Sequence, residues 1–74
     1  MSKLPRLNAK EITGVLEGLG FHLSRQSGSH KIYKSDSGKR VTVPFHAGTT
    51  LHPKVLKSIL KDAEIEIEQL KKFL

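Results

Sequence analysis

The first amphipathic pattern in the chain lies within residues 7–21. Asn8 is a good N-cap, and Glu11 three residues later completes a capping box. Gly20 can adopt the left-handed conformation that ends many helices. We therefore predict a first helix over residues 9–19. Its apolar side chains follow the helical spacing of three, four and seven residues: Ile12, Val15, Leu16 and Leu19.

After residue 20 the period of the apolar positions changes to two, which is typical of strands. Phe21, Leu23 and Arg25 would share one face of the first strand. Pro44 ends the last strand because it cannot donate to a ladder. The segment predicts a three-stranded antiparallel meander, with strands over residues 21–26, 30–34 and 40–43 and turns at 27–28 and 35–38.

A loop over residues 45–52 leads to a second helix, which Pro53 opens at a first helical position. The tail EIEIEQLKKFL alternates like a strand at Ile65 and Ile67 but is spaced like a helix further on, and we favour a short terminal helix. The second helix has an apolar side formed by Val55, Leu56, Ile59, Leu60 and Ala63, and a basic side formed by Lys54, Lys57 and Lys61.

The predicted order of elements is α-β-β-β-α, with an optional last helix. It indicates an α+β fold in which both main helices cover one face of the sheet, as in the double-stranded-RNA-binding domain. The other face of the sheet would stay open. With 74 residues, we expect residues 1–74 to form a single domain.

Composition narrows the partners of such a domain. The chain has no Cys, which suits a reducing cytoplasm, and no apolar run long enough for a signal peptide or a membrane span. Thirteen Lys and Arg against seven Asp and Glu give a net charge of +6. This excess favours nucleic acid as a partner, since it attracts polyanions.

Four stretches resemble the HicA toxin family, the small mRNA interferases of bacterial and archaeal toxin–antitoxin pairs. They are LPRLNAKEITGVLEGLGF, RQSGSHKIY, GKRVTVPFHAG and LHPKVLKSILKDA, and they cover nearly the whole chain in order. The Gly-Ser-His-x-x-Tyr element followed by Val-Pro-x-His is distinctive. The resemblance implies a fold like the double-stranded-RNA-binding domain, His30 as the catalytic residue, mRNA as the substrate and a HicB-type antitoxin as the partner.

The residues around His30 suit RNA cleavage. RNA carries its own nucleophile, the 2′-hydroxyl, so the reaction needs proton transfer and a cation rather than a metal. An imidazole can accept or donate a proton at neutral pH, and Gly28 with Ser29 lets a phosphate approach backbone N–H groups. His46 is a candidate second proton carrier, although it could equally cap a loop. We expect no metal site and no cofactor.

The alternation raises a difficulty, because it puts His30 on the face of Ile32, which we expect the helices to cover. His22 and His52 read as surface or helix-cap residues. The lysines of the second helix could follow RNA phosphates or simply face water. The candidate RNA contacts on the strands are Arg25, Lys31, Lys34, Lys39 and Arg40.

Two other functions fit the same features. One is a non-catalytic RNA-binding module with this fold and charge. The other is an adaptor whose open sheet face binds protein and whose charge serves only solubility. Cleavage of RNA in the presence of a chelator separates the enzyme from both alternatives.

Overall fold

The computed structural model describes residues 4–46 and 50–74. It confirms the predicted α-β-β-β-α order and the short terminal helix. The predicted loop over residues 45–52 lies partly outside the described residues, at 47–49. The elements are α1 (Ala9–Gly18), β1 (His22–Ser27), β2 (His30–Lys34), β3 (Arg40–Pro44), α2 (Pro53–Ala63) and α3 (Ile67–Lys71).

Helix α1 has both of the predicted end signals. The N–H of Glu11 donates to Asn8 Oδ1 at 2.8 Å, and the N–H of Asn8 donates to Glu11 Oε1 at 3.0 Å, which completes the capping box. At the other end Gly20 has a φ of 98°, and the N–H of Phe21 reaches back to the carbonyl of Leu16 at 2.9 Å. These contacts form a Schellman motif, and they end the helix one residue before the predicted position.

The three strands pair antiparallel in the order β1-β2-β3. The β1–β2 turn consists of Gly28 and Ser29, one residue later than predicted. Gly28 has a φ of 58°, the positive value that a two-residue hairpin of type II′ requires at its first position. In the β2–β3 pair, His30 lies opposite Pro44 and Tyr33 lies opposite Val41.

Both main helices cover the same face of the sheet, as predicted. On this face the strands contribute Tyr33, Val41 and Val43 to the buried core. Because neighbouring residues of a strand point to opposite faces, His30 and Ile32 belong to the open face. The expectation that the helices cover the face of Ile32 is therefore wrong. The helices contribute Ala9, Ile12, Val15, Leu16, Leu56, Ile59, Leu60, Ala63 and Leu70 to the core.

A β-bulge interrupts strand β1. Leu23 lies opposite Tyr33, but the next pair joins Arg25 to Ile32, so Ser24 is an extra residue with no partner across the ladder. The bulge puts Leu23 and Arg25 on opposite faces, so the predicted sharing of one face by these two residues is wrong. Leu23 stays on the helix-covered side at the edge of the sheet, where it is 45% exposed.

Helix α2 begins as predicted at Pro53, and its N-cap is His52, whose Nδ1 accepts the N–H of Lys54 at 3.1 Å. The interpretation of His52 as a helix cap is thus confirmed. The C-cap of the helix is Glu64, a non-glycine residue in the left-handed conformation with a φ of 58°. None of the helices in the described part of the chain is long and apolar enough to span a membrane.

Candidate nucleic-acid interface

The open face of the sheet carries three rows of side chains. Each strand contributes one residue to every row. The strand pairing defines these rows, because residues opposite each other in an antiparallel pair point to the same face. None of the nine positions is Asp or Glu. The rows are Ser27, His30 and Pro44; Arg25, Ile32 and Thr42; and His22, Lys34 and Arg40.

His30 occupies one end of this face. It is the first residue of the central strand β2, it follows the Gly28–Ser29 turn directly, and it is exposed. No described residue forms a hydrogen bond with its imidazole. The ring is therefore accessible to a ligand that lies on the open face.

Three of the predicted RNA contacts share the face with His30. Arg25, Lys34 and Arg40 are all exposed, and each comes from a different strand. Arg25 lies opposite Ile32, in unbroken register from the β1–β2 turn. The sheet thus presents an exposed imidazole and three cations on one face, with Arg25 in the row next to His30 and with Lys34 and Arg40 in the farthest row. This arrangement suits an extended, phosphate-rich ligand.

Ile32 gives this charged face an apolar centre. It is only 8% exposed although no helix covers it, and it is not part of the main core cluster. It lies on the central strand between Arg25 and Thr42, and long polar side chains can cover apolar neighbours.

Two other predicted contacts on the strands do not join His30. Lys31 lies on the helix-covered side, opposite Val43, and its Nζ is 4.0 Å from the centroid of the Phe45 ring. Lys39 precedes β3, and its Nζ is 4.0 Å from Glu64 Oε2 at the end of α2. The structure therefore places both lysines away from the open face.

The lysines of α2 form a separate basic surface in the helical layer. Lys54, Lys57 and Lys61 are all exposed. Lys57 and Lys61 line a groove of about 520 Å³ together with apolar side chains such as Leu60 and Ile65 and with the acidic Glu66 and Glu68. Because α2 covers the opposite side of the sheet, this groove does not open onto the face of His30.

His46 lies near the same end of the sheet as His30. The backbone N–H of Phe45 donates to the carbonyl of Ser29 at 2.6 Å, so the chain still runs beside the β1–β2 turn after β3 has ended. His46 is the next residue and is exposed. The two histidines are thus brought to one end of the molecule by the Ser29–Phe45 contact.

Tyr33, the last residue of the Gly-Ser-His-x-x-Tyr element, belongs to the core. It is 3% exposed. Burial raises the pKa of Tyr33, interaction with the side chain of Thr13 on α1 partly opposes this change, and the negative charge of Glu17 adds to it. The element therefore combines an exposed His30 with a structural tyrosine on the opposite face.

Sequence reasoning missed His22 as a member of the open face. It lies opposite Lys34 in the row farthest from His30. Only the bulge produces this pairing, and nothing in the local sequence marks Ser24 as a bulge residue. Within residues 4–46 and 50–74, no three His, Cys, Asp or Glu side chains come together as a metal-binding group.

Comparison with known proteins identifies the family. The model of the family described as the HicA toxin of bacterial toxin–antitoxin matches residues 9–65. The matched segment runs from the start of α1 to just beyond α2, so it includes the whole sheet, His30 and His46. No curated protein gives a significant match to the chain. The chain belongs to the HicA toxin family of bacterial toxin–antitoxin systems, which implies an antitoxin as its partner.

Proposed function

We propose that this toxin is a metal-independent endoribonuclease that cleaves mRNA, with His30 as its catalytic general base or acid. One observation carries the proposal: the open face puts the exposed imidazole of His30 on the same surface as Arg25, Lys34 and Arg40. An RNA strand on this face would meet phosphate-binding cations and a proton carrier together.

The reaction needs little from the protein because the substrate supplies the nucleophile. The 2′-hydroxyl attacks the adjacent phosphorus, the new O2′–P bond forms and the P–O5′ bond breaks. A base takes the proton of the 2′-hydroxyl, and the departing O5′ receives a proton from an acid. The products are a 2′,3′-cyclic phosphate and a 5′-hydroxyl, and positioned proton transfer accelerates such a step by roughly 10²–10⁴.

The negative charge that develops on the phosphorane also needs stabilisation. Arg25 is in the row next to His30, and its guanidinium can hold phosphate oxygens with two donors. Gly28 and Ser29 precede His30 in a tight turn with no Cβ at its first position, so backbone N–H groups there are open to a phosphate.

His46 is the proposed second proton carrier. The reaction moves one proton to a base and one from an acid, and His30 alone cannot hold both states in a single step. The location of His46 at the same end of the sheet as His30, next to the Ser29–Phe45 hydrogen bond, supports this role.

The proposed inhibitor is a HicB-type antitoxin that binds over the open face. A partner with Asp and Glu side chains would match the three cations and would associate rapidly with a chain of net charge +6. An interface of ordinary size, about 800 Å² on each partner, would leave little of so small a face accessible to RNA.

The test is cleavage of a labelled single-stranded RNA by the purified toxin in EDTA. His30→Ala should abolish cleavage, whereas His22→Ala should retain it, because His22 is an exposed histidine on the same face but in the farthest row. Circular dichroism of both variants controls for folding. Cleavage by His30→Ala at the wild-type rate would refute the catalytic assignment.

The same assay tests the mechanism and the alternatives. RNA with 2′-O-methyl groups should bind but remain uncut, and the products of natural RNA should accept 5′-phosphate from a kinase without prior dephosphorylation. If natural RNA binds but is never cut, the chain is an RNA-binding module. If it neither binds nor is cut, the adaptor interpretation holds.

A further inference from the structure

Lys31 and Phe45 form a pair beside the proposed site, on the helix-covered side of the sheet. The Nζ of Lys31 is 4.0 Å from the centre of the Phe45 ring. Both side chains are half-buried, and Phe45 packs against the edge of the core. A partly desolvated cation over an aromatic ring is a favourable contact, and to bind RNA on the open face the ammonium would have to leave it.

The backbone of Phe45 makes a second contact, with the turn before His30. Its N–H donates to the carbonyl of Ser29 at 2.6 Å. Pro44, the preceding residue, has no N–H to donate, so Phe45 supplies the N–H that joins this end of β3 to the turn. The bond joins the residue before His30 to the residue before His46.

Phe45 is therefore fixed from two sides. The core and Lys31 hold its ring, and Ser29 holds its backbone. Loss of the ring contact would free the segment that leads to His46, while the strands themselves would keep their pairing. The distance between the two histidines would then vary, and small errors in the placement of reacting groups are costly to a catalysed step.

We propose that Lys31 and Phe45 are positioning residues, which fix His46 relative to His30, and that Lys31 does not bind RNA phosphate. The inference rests on the proposed function. It gives Lys31 a different role from Lys34, the proposed phosphate contact. Lys34 is three residues away on the same strand but points to the open face.

Steady-state cleavage of RNA distinguishes the two lysines. Lys31→Met should lower kcat by about 10- to 100-fold and leave KM and its salt dependence unchanged. Lys34→Met should raise KM and reduce the slope of log affinity against log salt by about 0.7, the contribution of one phosphate contact on a single strand. Lys31→Arg should restore kcat because a guanidinium also binds an aromatic face.

Equal changes of the salt slope in Lys31→Met and Lys34→Met would overturn the proposal, since Lys31 would then be a phosphate contact. Unchanged kcat in both Lys31→Met and Phe45→Leu would overturn it as well. Phe45→Leu is chosen because it keeps apolar volume at the core edge while it removes the aromatic face.

A readout without catalysis keeps the inference separate from the proposed function. In NMR spectra of the wild-type toxin, the ε-methylene protons of Lys31 should be shifted upfield by the Phe45 ring, and the Phe45 amide should be protected from hydrogen exchange. The upfield shift should disappear in Phe45→Leu, and the protection of the residue 45 amide should weaken in Lys31→Met. Their absence in the wild-type toxin would refute the positioning pair even if RNA is cleaved, whereas their presence in a toxin that cuts no RNA would refute the proposed function alone.

Discussion

The location of the RNA path can be tested with two variants of identical net charge. One replaces the three cations of the open face by Gln, and the other replaces the three lysines of α2 by Gln. Each lowers the net charge from +6 to +3, so the long-range attraction of RNA changes similarly in both. The substituted residues are Arg25, Lys34 and Arg40 in the first variant, and Lys54, Lys57 and Lys61 in the second.

The expected difference follows from the number of phosphates that each surface neutralises. On a single strand each contact contributes about −0.7 to the slope of log affinity against log salt. Loss of the three open-face cations should therefore reduce the slope by about 2, while the α2 variant should keep the wild-type slope. Gln and Lys have similar helix propensity, so α2 should remain intact in the second variant.

The assay is a titration of a short single-stranded RNA at several salt concentrations. Both variants carry His30→Ala, which prevents cleavage during the measurement. An equal loss of slope in the two variants would show that net charge, and not the open face, governs binding. A loss confined to the α2 variant would move the RNA to the helical layer and refute the proposed interface.

Three further predictions concern the scaffold that holds this face. The raised pKa of Tyr33 stabilises the fold in full below the ordinary phenol value near 10, and this contribution should disappear as the pH rises through the higher folded value. Denaturant unfolding at increasing alkaline pH should therefore show a loss in the wild type that Tyr33→Phe lacks. Gly14→Ala should stabilise the toxin by about 0.5–1 kcal/mol, because the new Cβ meets no atom within 4 Å. Gly18→Ala should gain less, since its Cβ would lie 2.9 Å from the ring of Phe73. Glu64→Gly should be more stable than Glu64→Ala by about 1 kcal/mol, because a Cβ is unfavourable in the left-handed conformation.

Each of these predictions has an internal control. The toxin has one Tyr and no Trp, so the absorbance of the phenolate reports Tyr33 alone. Titration of Tyr33 at the pKa of a free phenol would contradict the first prediction. Equal stability of the Gly14 and Gly18 variants would contradict the second. Glu64→Ala removes the exposed contact with Lys39 as well, so the comparison of the two Glu64 variants isolates the backbone.

The helices could be predicted closely because their signals are local. The Asn8–Glu11 capping box and Gly20 are each recognisable within a few residues, and both form the predicted contacts. Pro53 marks the start of α2 in the same way. Hydrogen bonds that join residues three to five positions apart depend little on the rest of the molecule.

The meander could also be predicted, but its turn and the faces of its strands could not be assigned correctly. In β2 the central residues are Ile32 and Tyr33, two large side chains that point to opposite faces and are both buried. A pattern of period two separates the faces but does not say which one the helices cover when each has an apolar residue. The choice depends on Val41 and Val43, which lie opposite Tyr33 and Lys31 across a second turn.

The bulge at Ser24 explains why the composition of the candidate site could not be predicted either. Without it, strict pairing from the Ser27–His30 position would place Leu23 on the open face opposite Lys34, and His22 would leave that face. With it, Leu23 returns to the helix-covered side opposite Tyr33, while Arg25 keeps its place beside Ile32 in the row next to His30. One extra residue thus keeps an apolar side chain off the open face and leaves that face polar around His30. This consequence follows from the pairing of two strands, and it cannot be predicted from any local property of Ser24.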